Sequence, residues 1–178
     1  AKKLVEQDFS IDTCTDFSLL NLMGYLLLAE KDYASCTHIF EKYILLAQQN
    51  EDKEHEHIGL HQLAMIYRDQ GDFHKALKLI EDEEKIVEEH FPNDNLKKAV
   101  NNYEQGYVRL KLNNLDEALT FMNLSLEQSL ETDDVISQAC SYRGLGEIYL
   151  ALEDTELSNR NFKRAIELFE SVGEFEGI

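Results

Sequence analysis

Apolar residues recur along this chain at helical spacing, in paired stripes separated by a short polar break. Around the stretch His61–Glu81, Leu60, Leu63, Ala64 and Tyr67 share one helix face, Gly71-Asp72 interrupts, and Phe73, Ala76, Leu77 and Ile80 form a second stripe. Helices joined by so short a turn must bury their stripes against each other. The pattern returns three more times, because a small residue of each first helix (Gly24, Ala64, Gly106, Gly146) recurs after 40, 42 and 40 residues. Eight residues past each stands Asp32, Asp72, Asn114 or Asp154, a side chain able to cap the second helix by accepting an otherwise orphaned N–H. Twelve past each is a second small residue, Cys36, Ala76, Ala118 or Ser158, which lets the two backbones approach. Sixteen past each is a plug, Phe40, Ile80, Met122 or Phe162.

These signals predict an all-α chain of about four helix pairs, over about 17–50, 55–90, 95–131 and 133–171. Thr15-Asp16 opens the first pair, the polar run Asn50–Glu54 leads to a helix from about His55, Phe91-Pro92-Asn93-Asp94 breaks the pattern again, and Thr132-Asp133 opens the fourth pair. A short helical pattern also covers Ala1–Asp8.

At these positions the chain resembles the tetratricopeptide repeat family, whose pattern is an aromatic, then Leu-Gly, then Tyr, with Ala and Phe on the second helix. The fourth unit matches best, with Tyr142, Leu145-Gly146, Tyr149, Ser158 and Phe162. The second supplies Leu60, Leu63-Ala64, Tyr67, Ala76 and Ile80, and the first Leu20, Met23-Gly24, Leu27, Cys36 and Phe40. The third departs, with Asn102, Gln105 and Arg109 where apolar residues are expected. The resemblance implies a right-handed α-α superhelix, a solenoid of stacked pairs. The period exceeds the usual ~34 residues, and similar lengthened repeats occur in kinesin light chains and in the receptors by which Gram-positive bacteria sense signalling peptides.

Composition narrows the function classes. With 43% hydrophobic residues, one proline and no Gly/Ser-rich linker, the 178 residues read as a single repeat domain. The opening on Ala1, and Phe175 and Ile178 reading as the start of another first helix, suggest a piece of a longer array whose apolar ends could pair two copies into a homodimer. A net charge of −18 argues against direct nucleic-acid contact and against an anionic membrane. The acidic run Glu81-Asp82-Glu83-Glu84 reads as a solvated face, or as a dock for a basic partner. The longest uncharged run, Phe17–Ala29, falls short of the ~20 residues of a membrane span, and no signal-peptide pattern precedes it. Cys14, Cys36 and Cys140 form an odd set without CxxC spacing, as expected of a cytoplasmic protein.

Candidate chemistry is sparse. His57 and His61 share a helix face, but no third ligand is fixed by the sequence, and HIGLH lacks the Glu of an HExxH site, so no metal and no cofactor is expected. Neither a phosphate loop, a GxSxG turn nor a recognisable Cys–His pair appears, so the chain is not expected to be an enzyme. What the resemblance implies instead is a concave groove lined by first helices that receives a peptide or protein ligand. Three residues before each anchor stand Asn21, His61, Tyr103 and Arg143, and one after stand Tyr25, Met65, Tyr107 and Glu147, with Arg68 and Lys111 adding positive charge nearby. Large, aromatic and hydrogen-bonding side chains suit a ligand whose backbone groups must be satisfied away from water. The expected function is peptide or protein binding. It fits the ligand-sensing domain of a cytoplasmic bacterial regulator that binds a short peptide, or alternatively a scaffold for protein assembly.

Overall fold

The computed structural model of the chain describes residues 14–173. Ala1–Asp8, Phe175 and Ile178 lie outside them. The described residues form eight helices and no strand: α1 Phe17–Ala29, α2 Tyr33–Gln49, α3 Lys53–Asp69, α4 Phe73–His90, α5 Asn95–Lys111, α6 Leu115–Leu130, α7 Val135–Ala151 and α8 Thr155–Ser171. They divide into two compact units, with the boundary between Ile86 and Val87 inside α4.

One turn design joins every pair. The residue seven past each anchor adopts a left-handed backbone, at φ 58° in Lys31, 78° in Gly71, 61° in Asn113 and 62° in Glu153. The next N–H then reaches back five residues, from Asp32 to Leu27 O, Asp72 to Tyr67 O, Asn114 to Arg109 O and Asp154 to Tyr149 O, each at 2.9 Å. This ties off carbonyls that the first helix would leave orphaned. The same residue then starts the second helix: Asp32 accepts from Ser35 N at 3.2 Å, Asp72 from Lys75 N at 3.3 Å and Asp154 from Leu157 N at 3.0 Å. Asn114 does not cap as expected. Its side chain bonds instead to Glu117, which also accepts from Arg109 Nε at 2.9 Å. A second difference lies at α3, which starts at Lys53 rather than near His55. Asp52, expected to be linker, accepts from His55 N at 3.0 Å and so extends the helix upstream.

The small anchors sit beneath the plugs. A Cβ on Gly24 would lie 2.5 Å from Phe40 Cε2, on Gly146 2.8 Å from Phe162 Cδ1, and on Gly106 3.0 Å from Met122 Cε. Nothing larger than glycine leaves those side chains in place. Twelve residues on, Cys36 Sγ donates to Gly24 O at 3.3 Å and Ser158 Oγ to Gly146 O at 2.9 Å, so the second small residue also satisfies a carbonyl at the crossing. Burial, and secondarily Asp32, pushes the Cys36 thiol up to about 11, which makes it a packing residue and an inert thiol.

Unit 1 builds its core from Leu20, Met23 and Leu27 of α1, Ile39, Phe40 and Tyr43 of α2, and Leu63 and Ile66 of α3. Unit 2 centres on Ala118 and Met122 of α6 with Leu145 and Ile148 of α7. In α5, where the apolar pattern fails, polar side chains bond to one another or across to α6: Gln105 donates to Asn101 Oδ1 at 3.1 Å, Arg109 Nη1 to Gln105 Oε1 at 2.8 Å, and Asn102 to Gln128 Oε1 of α6 at 2.7 Å. The acidic run of α4 also needs correcting. Glu83 is 1% exposed, because it lies nineteen past its anchor, where Tyr43, Ser125 and Ala165 are buried in the other repeats.

Candidate functional site

The residues expected to line a ligand face fall on first helices in both units. In unit 2, helical spacing puts Tyr103, Tyr107 and Lys111 on one side of α5, and Arg143 and Glu147 on the side of α7 that packs beside it. Arg143 Nη2 donates to Tyr103 Oη at 2.7 Å. The Tyr103 and Tyr107 rings stack at 6.3 Å, and Lys111 Nζ stands 4.8 Å from the centre of the Tyr107 ring. Glu147 lies between the two cations, 4.0 Å from Arg143 Nε and 3.9 Å from Lys111 Nζ. Burial pushes the Tyr103 phenol up to about 12; Arg143 pulls the other way, and Glu104 and Cys140 add to the rise. Tyr103 therefore stays neutral at physiological pH and serves Arg143 as a dipole, so this hydrogen bond itself cancels none of the guanidinium charge.

Unit 1 arranges its counterparts differently. Tyr25 on α1 is 48% exposed, and its hydroxyl accepts from Gln62 Nε2 of α3 at 2.9 Å. Asn21 is half-buried, and its Oδ1 accepts no hydrogen bond among the described residues. Met65 is buried, and Arg68 is drawn along its own helix to Asp69 Oδ1 at 3.3 Å. His61 turns toward α4, with Nδ1 3.4 Å from Glu83 Oε2, while His57 Nδ1 is 3.2 Å from Glu83 Oε1. Burial pushes the Glu83 carboxyl up, but the hydrogen bonds and charges of His57 and His61 outweigh it and hold its pKa below the usual value. An ionised carboxylate only accepts, so the proton of the His57 hydrogen bond sits on the imidazole Nδ1, while His61 approaches the second carboxylate oxygen at a longer distance. The histidines thus hold a buried carboxylate. Among the described residues, no group of three or more His, Cys, Asp and Glu is arranged to hold a metal.

Sequence reasoning passed over Gln62 and Glu83. Gln62 carries no pattern signal. Glu83 does, since its place in the repeat register is a buried one.

A tetratricopeptide repeat family model matches residues 95–171, and a second matches residues 59–82. The chain belongs to the tetratricopeptide repeat family. Solved tetratricopeptide-type structures resemble it along almost its whole length. BtubC (BKLC) from P. vanneervenii aligns with a TM-score of 0.77 at 15% identity, covering 97% of this chain and 69% of that one. A Podosopora anserina protein described as a kinesin light chain with nearly identical TPR-like repeats aligns at 0.67 and 12% identity, covering 98% and 84%. The apo form of RapI aligns at 0.65 and 14% identity, covering 91% of this chain and 54% of RapI. At such identities the likeness carries the fold alone. No curated protein sequence matches the chain. A tetratricopeptide repeat chain is a protein-binding module, and no helix among the described residues is long and apolar enough to cross a membrane.

Proposed function

We propose that this chain is the ligand-sensing domain of a cytoplasmic bacterial regulator and binds a short peptide on its first-helix faces. The observation that carries this reading is the α5–α7 face of unit 2, where two stacked tyrosines lie beside two partly exposed cations and one carboxylate. Tyrosines give a ligand apolar contact area at little entropic cost, and the charged groups match backbone and side-chain polar atoms. A second reading, a scaffold that binds larger proteins, draws on α1, whose Leu22 and Leu26 are 56% and 44% exposed.

A direct test is to pan a library of short synthetic peptides against the chain and titrate the best binder calorimetrically into substituted forms. Tyr107→Ala and Arg143→Ala should each weaken binding by ~2 kcal/mol. The exposed α6 substitution Glu127→Ala should leave it unchanged. Loss of binding in Glu127→Ala equal to that in the α5–α7 changes would place the ligand elsewhere. Failure to select any peptide, together with capture of a folded protein through Leu22 and Leu26, would favour the scaffold.

A further inference from the structure

We infer that the ligand of the α5–α7 face carries an acidic group, which takes the place that Glu147 occupies between Arg143 and Lys111. This rests on the peptide-binding reading and names the chemistry of the ligand. In a chain of net charge −18, a surface that attracts an anion has to be built locally. Here it is. Arg143 spends its short hydrogen bond on a neutral phenol and Lys111 rests over a neutral ring, so the charge set against both cations is that of one carboxylate.

Their shared counter-ion is Glu147, at 4.0 and 3.9 Å. These separations are beyond hydrogen-bond length, so the carboxylate balances charge without satisfying the donors. The side chains of Arg143, Lys111 and Glu147 are 46%, 37% and 32% exposed, within reach of a ligand. Glu104, a carboxylate whose charge reaches Tyr103, is 6% exposed and lies out of a ligand's way. A carboxylate brought from outside, free of the tether to α7, can approach both cations at charge-assisted hydrogen-bond distance while its neighbouring residues cover Tyr107. Glu147 then swings to solvent, which its exposure permits.

The test selects from a library of short peptides in which every variable position offers Glu and Gln equally, once with free and once with amidated C-termini. The full chain is the bait. The wild type should enrich Glu over Gln at one position by about tenfold, the effect of charge-assisted bonds to a partly exposed pair. Enrichment in the amidated library assigns the anion to a side chain; enrichment that needs the free terminus assigns it to the terminal carboxylate. Arg143→Gln and Lys111→Gln should each erase the preference. Glu147→Gln should keep the preference and tighten binding several-fold, because a competitor is gone; a carboxylate that merely positions Arg143 would weaken binding when removed. If the wild type enriches Glu and Gln alike while Tyr107→Ala abolishes binding, the peptide-binding reading stands and the acidic ligand is wrong. If Tyr107→Ala selects the same peptides as the wild type, both fall together.

Discussion

Glu83 of unit 1 and Arg109 of unit 2 are buried in opposite ways. In unit 1 one carboxylate, Glu83, is placed in the core and held by two imidazoles from a single helix face. In unit 2, neutral amides and one guanidinium run along α5, and the cation reaches outward to Glu117, whose side chain is 58% exposed. Beside the buried carboxylates Glu56 and Glu104, one in each unit, Glu83 and Arg109 are thus buried charges of opposite sign. Of these two, Arg109 has its counter-charge in water. The difference shows that position in the repeat, rather than residue type, sets burial, and that the chemistry needed afterwards depends on which charge arrives there.

The largest effect should come from Glu83. Glu83→Ala removes the acceptor of two partly buried histidines and leaves a cavity, so unit 1 should lose about 3 kcal/mol. The readout is hydrogen exchange resolved by segment, because an average over both units would blur the contrast. Protection of α3 should fall while that of α6 and α7 holds. Equal loss in both units would mean that they do not open separately.

The same residue gives unit 1 a pH dependence. Its folded pKa lies below the unfolded value, so its stabilisation is complete above the ordinary glutamate range, near ~4.3, and is lost as pH falls through the folded value. Between those two points the unfolded chain takes up the proton and the folded chain does not. On acidification α3 should lose protection before α5–α7 do, and Glu83→Gln should flatten that difference. Retention of the difference in Glu83→Gln would assign the acid sensitivity to another group.

Arg109 should matter less. Arg109→Leu strips the donor from buried Gln105 Oε1 and the packing over Phe121, whose ring centre lies 4.2 Å from the guanidinium, and should cost about 2 kcal/mol. Glu117→Gln should barely register, because water already solvates that carboxylate. Urea melts of the two forms decide the point: if Glu117→Gln is as damaging as Arg109→Leu, the counter-ion does more than its exposure implies.

The elements, the anchor-and-plug crossings and most caps were legible because each depends on residues a fixed distance apart within one pair. Gly24 with Phe40 and Gly146 with Phe162 needed only the spacing. What the sequence hid were contacts between the first helices of successive pairs. Gln62 to Tyr25, Arg143 to Tyr103 and Lys111 to Glu147 join residues 37, 40 and 36 apart, where a small change in helix rotation selects a different partner. The Asn114 cap failed for a related reason, since the competing pull of Glu117 exists only once α5 brings Arg109 to it. Composition misled at Glu83 as well. Four consecutive acids look like surface, yet one in four of a helix faces inward.

The smallest expected effect concerns the turns, where the units share one backbone and differ in residue. Gly71 meets the left-handed conformation without a Cβ, whereas Lys31, Asn113 and Glu153 hold it at φ near 60° with one. That geometry costs an ordinary L-residue roughly 1–2 kcal/mol, partly offset by the greater freedom glycine loses on folding. Glu153→Gly should therefore stabilise by up to about 1 kcal/mol, and Asn113→Gly by less, because asparagine tolerates this region. Gly71→Ala should destabilise by a similar amount, although nothing lies within 4 Å of an added Cβ, which leaves backbone strain as the cause. Thermal melts of the three forms rank them. If Gly71→Ala proves neutral, or Glu153→Gly destabilises, the five-residue hydrogen bond that closes each turn, and not the residue at its corner, sets the geometry.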